Sequence, residues 1–291
     1  MGYNYISKTF SISHKLMFLS KPKYSLLLSF IVTIFVLLAC NDKEITLLKE
    51  KPVTTTEKLC YLKDADHGHG IIYNLNYDTK NQLISLDGFP DFNQINYENN
   101  LPQKVISSFD ESYYITYEYD TKGNLSLINF LGKDSRAKPF ELKSKVYTNT
   151  KKQIEKIDLI MPVFDEALVT IFEYDANSNI KKMYLVENGK NKLLLENLSF
   201  DDKKSPYINT PLNNLMMYFT IFSATIGGEN TTYFQNKNNA TSTKIYNDSG
   251  DMTYTYKYEY TPDGYASKVK VVKKQNGKEE SHDESYNYTC K

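Results

Sequence analysis

From residue 58 onward the chain alternates apolar and polar positions, broken at intervals by turn signals. In ITYEYDTKGNLSLI (115–128), Ile115, Tyr117 and Tyr119 fall on one face of an extended segment, and Thr116 and Glu118 on the other. Asp120 and Gly123 then suit the first and fourth positions of a type I turn. An Asp at that first position accepts backbone N–H groups two residues on. One apolar face and one polar face predict a half-buried strand of an antiparallel sheet.

The same frame recurs. Tyr77-Asp78 leads to Asn81, Tyr97-Glu98 to Leu101 and Pro102, and Tyr174-Asp175 to Ser178 and Asn179. Tyr246-Asn247 leads to Gly250, and Tyr260-Thr261-Pro262-Asp263 to Gly264, with weaker echoes at Tyr147 and Phe200. The spacing is about 20 to 30 residues, one hairpin plus its connection. Leu83, Leu125, Ile180 and Val269 mark the second strand of a copy, and Asn276-Gly277 is a two-residue turn near the end of the chain. The pattern predicts an all-β fold: a single large antiparallel sheet of repeated hairpins, curved or rolled into an open barrel. The repeated Tyr and Asp residues read as core and turn residues. Alternation fails between 205 and 228, where Leu215 to Ile226 is nearly all apolar behind Pro206 and Pro211 and ahead of Gly227-Gly228. This predicts a plug around 211–226, either a short helix or a fully buried strand.

The N-terminal part follows another rule. Leu26 to Ala39 is an apolar run, short for a membrane span and suited to a signal-peptide core, with Lys21 and Lys23 before it. It ends in Leu37-Leu38-Ala39-Cys40. This resembles a bacterial lipobox, which implies cleavage before Cys40 and acylation of that residue. An uncleaved anchor or an ordinary signal peptide is the alternative. The expected organisation is a lipoprotein signal peptide at 1–39, starting at Met1 or Met17, a polar tether at 40–57, and a β domain at 58–291. Two or three acyl chains hold a protein stably on a membrane, where one is marginal. Acidic residues after Cys40 resemble surface-export signals, so either the periplasmic or the surface face of the outer membrane is open.

Composition narrows the partners. The whole chain is formally neutral, and removing residues 1–39 strips four lysines and no acid, leaving about −4. No basic stripe tracks a phosphate backbone, so nucleic acid is not an expected partner. Tyr is abundant at 25 residues and Trp is absent, but alternation accounts for most of the Tyr. With Cys40 given to lipid, Cys60 and Cys290 remain at the two ends of the β domain. In an oxidising compartment they are candidates for a disulfide, free buried thiols being the alternative. A bridge would bring first and last strands together.

Candidate chemistry is sparse. Asp64, Asp66, His67 and His69 lie within DADHGHG (64–70). If Cys60 opposes Cys290 on an unbroken antiparallel ladder, His282 falls opposite Gly68, and three histidines converge as candidate metal ligands. A solvated loop is the plainer reading of the same residues. The sequence carries no HExxH, no GxSxG and no Gly-rich phosphate loop. No catalytic residue is assigned and no cofactor is expected.

The Y-x-Y-D-x-x-G-x-L lines resemble the YD repeats of rearrangement-hotspot proteins and teneurins. A lipobox followed by YEYDTKGNL, SFDDKKSPY (199–207), KNNATSTKIYNDSG (237–250) and YTYKYEYTPDGYASKV (254–269) is similar to Bacteroidota lipoproteins with a porin-like fold. That resemblance implies a curved antiparallel sheet and binding of lipid or another apolar ligand. The faces opposite the Tyr rows carry Thr, Lys and Glu, which lipid would not tolerate, so a transmembrane barrel is not expected. Three functional readings follow. The leading one is a lipid-anchored, non-catalytic envelope module binding an apolar or carbohydrate ligand. The second is a structural or interaction subunit of an outer-membrane assembly. The third is a metal-dependent enzyme.

Overall fold

The computed structural model describes residues 58–88, 92–107, 110–133, 137–160, 167–210, 215–217, 220 and 230–291. The expected signal peptide, the expected tether and Cys40 lie outside the described residues. Sixteen strands follow one another: β1 (Cys60–Asp66), β2 (Ile72–Tyr77), β3 (Leu83–Asp87), β4 (Phe92–Glu98), β5 (Leu101–Ser107), β6 (Tyr114–Tyr119), β7 (Leu125–Lys133) and β8 (Pro139–Thr148). Then come β9 (Ile154–Ile160), β10 (Leu168–Tyr174), β11 (Ile180–Glu187), β12 (Lys190–Lys204), β13 (Asn238–Ile245), β14 (Met252–Tyr260), β15 (Ala266–Gln275) and β16 (Lys278–Cys290). Each strand pairs antiparallel with its sequence neighbours, and β16 pairs with β1, closing a barrel. Among the described residues, β3 and β4 share the registered pair Leu86 with Phe92.

Turn chemistry sets the hairpins. The Asp78, Asp120 and Asp175 carboxylates each accept the backbone N–H groups two and four residues on, and the Asn149 amide oxygen does the same. The fourth turn residue takes positive φ: Asn81 (62°), Gly123 (76°), Lys152 (62°), Ser178 (72°) and Gly264 (81°). This is the type I turn with a bulge that three-residue hairpin loops favour. The register slips beside it each time, for instance between Glu118 and Tyr119.

The repeated Tyr has a second task. Tyr77 donates its hydroxyl to Leu62 O, Tyr97 to Leu83 O, Tyr119 to Pro102 O and Tyr174 to Ile154 O, each at 2.8 Å. Tyr258 reaches Ala240 O at 3.0 Å and Tyr288 reaches Ala266 O at 2.6 Å. Each bond runs from one of the last three residues of a strand to a carbonyl of the preceding hairpin. The tyrosines thus latch neighbouring hairpins along one rim, which we call the entry rim because Leu59 and Lys291 meet there. Three look-alikes do not latch: Tyr147, Tyr246 and Tyr260 bond the side chains of Asp158, Glu196 and Asp201 instead.

Alternation sorts the side chains. Leu62, Ala65, Leu83, Val105, Ile115, Ile157, Ile180 and Met183 are wholly buried, each large aliphatic contributing about 1.5 to 3 kcal/mol of transfer free energy. On β14 the rings of Tyr254, Tyr256, Tyr258 and Tyr260 stack at 6.1 to 6.2 Å on the inner face, while Thr255, Lys257 and Glu259 face water. The wall is apolar inside and polar outside, the reverse of a transmembrane barrel.

The described residues of the long β12–β13 connection pack inside the barrel. Leu215, Met216, Met217 and Thr220 are buried, and Thr220 N–H donates to Met216 O at 3.0 Å, the bond of an α-helical turn. The plug reaches beyond the apolar run. Tyr207 and Thr210 before it, and Thr232 and Phe234 in a 3-10 turn (Thr232–Phe234) after it, are also buried. Tyr77 OH meets Thr210 Oγ1 at 3.2 Å, and Tyr117 OH reaches Leu215 O at 3.5 Å.

Candidate functional site

The polar chemistry of the barrel gathers where the β1–β2 turn meets β16 and the plug. The structure bridges Cys60 and Cys290, which are paired in register at the entry rim. The ladder above them is not unbroken. A bulge at Lys63 moves the pairing by one residue, so that Asp64 faces Asn287 and Asp66 faces Ser285. Continued past the strand end, this slip places His67 beside Glu284 and His69 beside His282. The expected pairing of His282 with Gly68 assumed no such bulge and is corrected accordingly.

His67 is 6% exposed. Its Nδ1 lies 3.1 Å from Glu284 Oε2 and its Nε2 2.6 Å from the Tyr207 hydroxyl. The rings of Tyr73, Tyr207, Tyr233 and Tyr286 surround it at 5.1 to 6.1 Å. Glu284 also accepts from Tyr286 OH at 2.5 Å and pairs with His282 Nε2 at 3.2 Å. Burial alone would raise the Glu284 pKa. The charge of His67 and the hydrogen bonds from His282, His67 and Tyr286 together outweigh it and bring the value down to about 2. Burial, the largest cause, pushes the Tyr207 and Tyr286 hydroxyls well above their usual range, so both stay protonated. The cluster ties β1, β16 and the plug together, and both nitrogens of His67 are spent doing so.

The five residues expected as metal ligands separate into three places. Asp64 and Asp66 lie on the outer wall, bonded to Asn287 Nδ2 and Gly68 N–H. His67 is inside. His69 is exposed in the turn, and its ring centre lies 4.6 Å from that of His282, which is largely buried. Among the described residues, no three of the five bring donor atoms within 4.8 Å of one another. The trio that does, Cys60, Asp263 and Cys290, has its sulfurs in the disulfide.

Sequence reasoning missed Glu284. A signal existed: His282, Glu284, Tyr286 and Tyr288 alternate along β16, so the face that buries Tyr286 also carries Glu284 inward. It missed a second polar centre as well. Asn197, Asn230, Thr232 and Thr243 are buried and bonded to one another at 2.6 to 3.3 Å, fastening the end of the plug to β12 and β13. Asn236 Oδ1 accepts Ile180 N–H at 2.8 Å beside it.

One cleft among the described residues opens on the entry rim, with a volume of about 280 Å³, where the β8–β9 and β10–β11 turns approach. Asn149, Lys151, Gln153, Glu155, Tyr174 and Asp175 help line it. Of the segment expected as a plug, 211–214, 218–219 and 221–226 lie outside the described residues.

No protein-family model matches the chain, and no curated protein does. Among solved structures, it is similar to a porin-like protein from Bacteroides uniformis, with 15% identity, 82% of this chain and 99% of that chain covered, and a TM-score of 0.48. It is also similar to a porin-like protein from Bacteroides vulgatus, with 11% identity, 79% and 99% covered, and a TM-score of 0.47. The likeness is one of fold, and no site residue is taken from it.

Proposed function

We propose that the protein is a lipid-anchored envelope module, held by acyl chains on Cys40, that works without catalysis by docking a partner on its outer wall and rims. The observation that carries this reading is the packing of wall against plug among the described residues. Wall and plug bury their apolar side chains against each other, so an apolar ligand entering the barrel would have to displace Tyr207, Leu215 or Phe234. The polar outer wall argues against immersion in lipid. The saturated hydrogen bonds of His67 leave it without a nitrogen to offer a substrate. Supporting the envelope placement are the residues leading to Cys40 and a disulfide, which persists in oxidising compartments.

The test compares the full chain with Cys40→Ser in a Bacteroidota host fed an alkynyl fatty acid. The parent should take up label and sediment with membranes, whereas the variant should do neither. A Cys40→Ser protein that sediments like the parent would refute the anchor. Protease shaving of intact cells then assigns the periplasmic or the surface face. A second reading, a carbohydrate ligand, is favoured by the entry-rim cleft, whose amide and carboxylate rim around Tyr174 suits sugar hydroxyls. Glycan-array binding that survives Glu155→Ala with Lys151→Ala would remove that cleft from consideration.

A further inference from the structure

We infer that the outer face of β10–β13 is a self-complementary surface that docks a second copy of this chain about a two-fold axis. The inference rests on the reading that the outer wall docks a partner, and it names that partner. Outward side chains here fall into rows that the strand register fixes. In one row Glu173, Lys182, Glu196 and Lys244 stand side by side across β10, β11, β12 and β13, so charge alternates in sign along it. In the next, Ile171, Tyr184 and Leu193 are in register, and Tyr246, whose N–H bonds Leu194 O, follows them past the end of β13. Glu173 is exposed and the other seven are partly exposed, while Phe172, Met183, Leu195 and Ile245 between them are buried.

Charge complementarity selects the occupant. A two-fold axis running along the strands between β11 and β12 reverses each row on the partner. Glu173 then faces the partner's Lys244, and Lys182 faces the partner's Glu196, each contact occurring twice. In the apolar row Tyr184 faces the partner's Leu193, and Ile171 the partner's Tyr246. Within the chain Lys182 pairs with Glu196 at 3.6 Å and Lys244 with Asp251 at 2.8 Å, and Tyr184 and Tyr246 donate to Glu173 and Glu196. A carboxylate accepts several hydrogen bonds and an ammonium donates several, so each has room for a second partner. Two sheets packed this way keep their strands aligned, about 10 Å apart. Val169 and Val186, paired one row further, bring the face to roughly 400 Å² in plan. A standard interface takes about 800 Å² from each partner, so this dimer is weak and reversible. A bilayer does not suit the charged row, and its alternation offers no field of one sign to a polyanion.

The experiment follows the full-length chain in detergent by sedimentation at low salt and rising concentration. The parent should dimerise. Lys182→Glu and Glu196→Lys should each weaken self-association by about tenfold or more, because one substitution sets like charges against each other at both symmetric contacts. Partly exposed ion pairs contribute little to folding, so each variant should keep the parent's melting temperature. Mixed in equal amounts, the two variants should associate again, because the acid introduced in one faces the base introduced in the other. Variants that associate as tightly as the parent would move the contact off this face, onto anchor or micelle. A mixture that associates no better than either variant alone would refute the two-fold register, and a monomeric parent would overturn the second copy. A photo-crosslinker at position 184 in cells then separates that failure from failure of the docking reading. A product of twice the chain's mass supports the inference. A product with another envelope protein rejects the second copy and keeps the docking reading, and no product rejects both.

Discussion

The latches along the entry rim can be removed without touching the core. Tyr119→Phe, Tyr174→Phe and Tyr288→Phe each keep the ring and delete one hydroxyl, breaking bonds of 2.8, 2.8 and 2.6 Å to Pro102 O, Ile154 O and Ala266 O. A deleted partner leaves a partly buried carbonyl short of a donor, which costs about 1 to 2 kcal/mol. The three tyrosines sit on β6, β10 and β16. With strands about 4.8 Å apart, β6 and β10 are about 19 Å from each other, far enough for their effects to add. The triple variant should therefore lose about 3 to 6 kcal/mol, a large share of the 5 to 15 typical of a domain. Guanidinium denaturation followed by circular dichroism measures it, with an unchanged slope confirming that the same surface unfolds. Tyr147→Phe is the control, because its exposed hydroxyl bonds Asp158 rather than a backbone carbonyl, and its midpoint should stay put. If the triple variant shifts no further than Tyr147→Phe, the latches contribute nothing and the reasoning fails.

Reducing the Cys60–Cys290 bridge, which spans 230 positions, should lower stability by up to about 5 kcal/mol on chain-entropy grounds; coincident denaturation curves with and without reductant would exclude this. Glu284 has its pKa depressed from 4.5 to about 2, so its contribution of about 3 kcal/mol is present above pH 4.5 and lost as pH falls towards 2. Glu284→Gln should flatten that part of the stability curve, and a variant that tracks the parent's acid limb would refute the assignment. Gly68→Ala forces a side chain onto φ +73° and a Cβ within 2.9 Å of the His282 ring, so it should cost about 1 to 2 kcal/mol. Hydrogen exchange at Gly68–Ile71 should quicken, and unchanged protection there would count against the packing.

The hairpins were legible because their causes are local. Asp120 builds its turn with its own carboxylate and Gly123 with its positive φ, and Asn276-Gly277 does so by its backbone alone, with φ of 50° and 75°. The inward face of β6 could be read from Ile115, Tyr117 and Tyr119. The plug showed itself as the stretch where alternation stops. What escaped depends on partners distant in sequence. The Lys63 bulge follows from how β1 meets a strand more than 200 residues away, and one residue of slip redirects every pairing above it. Tyr147 resembles the latching tyrosines in sequence, yet its turn begins at Asn149 rather than at the next residue, which puts its ring on the outer wall. The network of Asn197 and Asn230 joins polar residues that look like loop composition until the plug folds back on β12.

The meander also dictates an order of events. Every strand neighbour is a sequence neighbour except at one junction, so nearly all pairing can zip up hairpin by hairpin at little cost in loop closure. Joining β1 to β16 gathers ends 230 positions apart, the step with the largest entropic cost. Low contact order along the wall and a single distant closure imply fast early pairing and a slow final one. The thiols of Cys60 and Cys290 meet only at that last step, so oxidation seals a nearly native barrel rather than guiding its assembly.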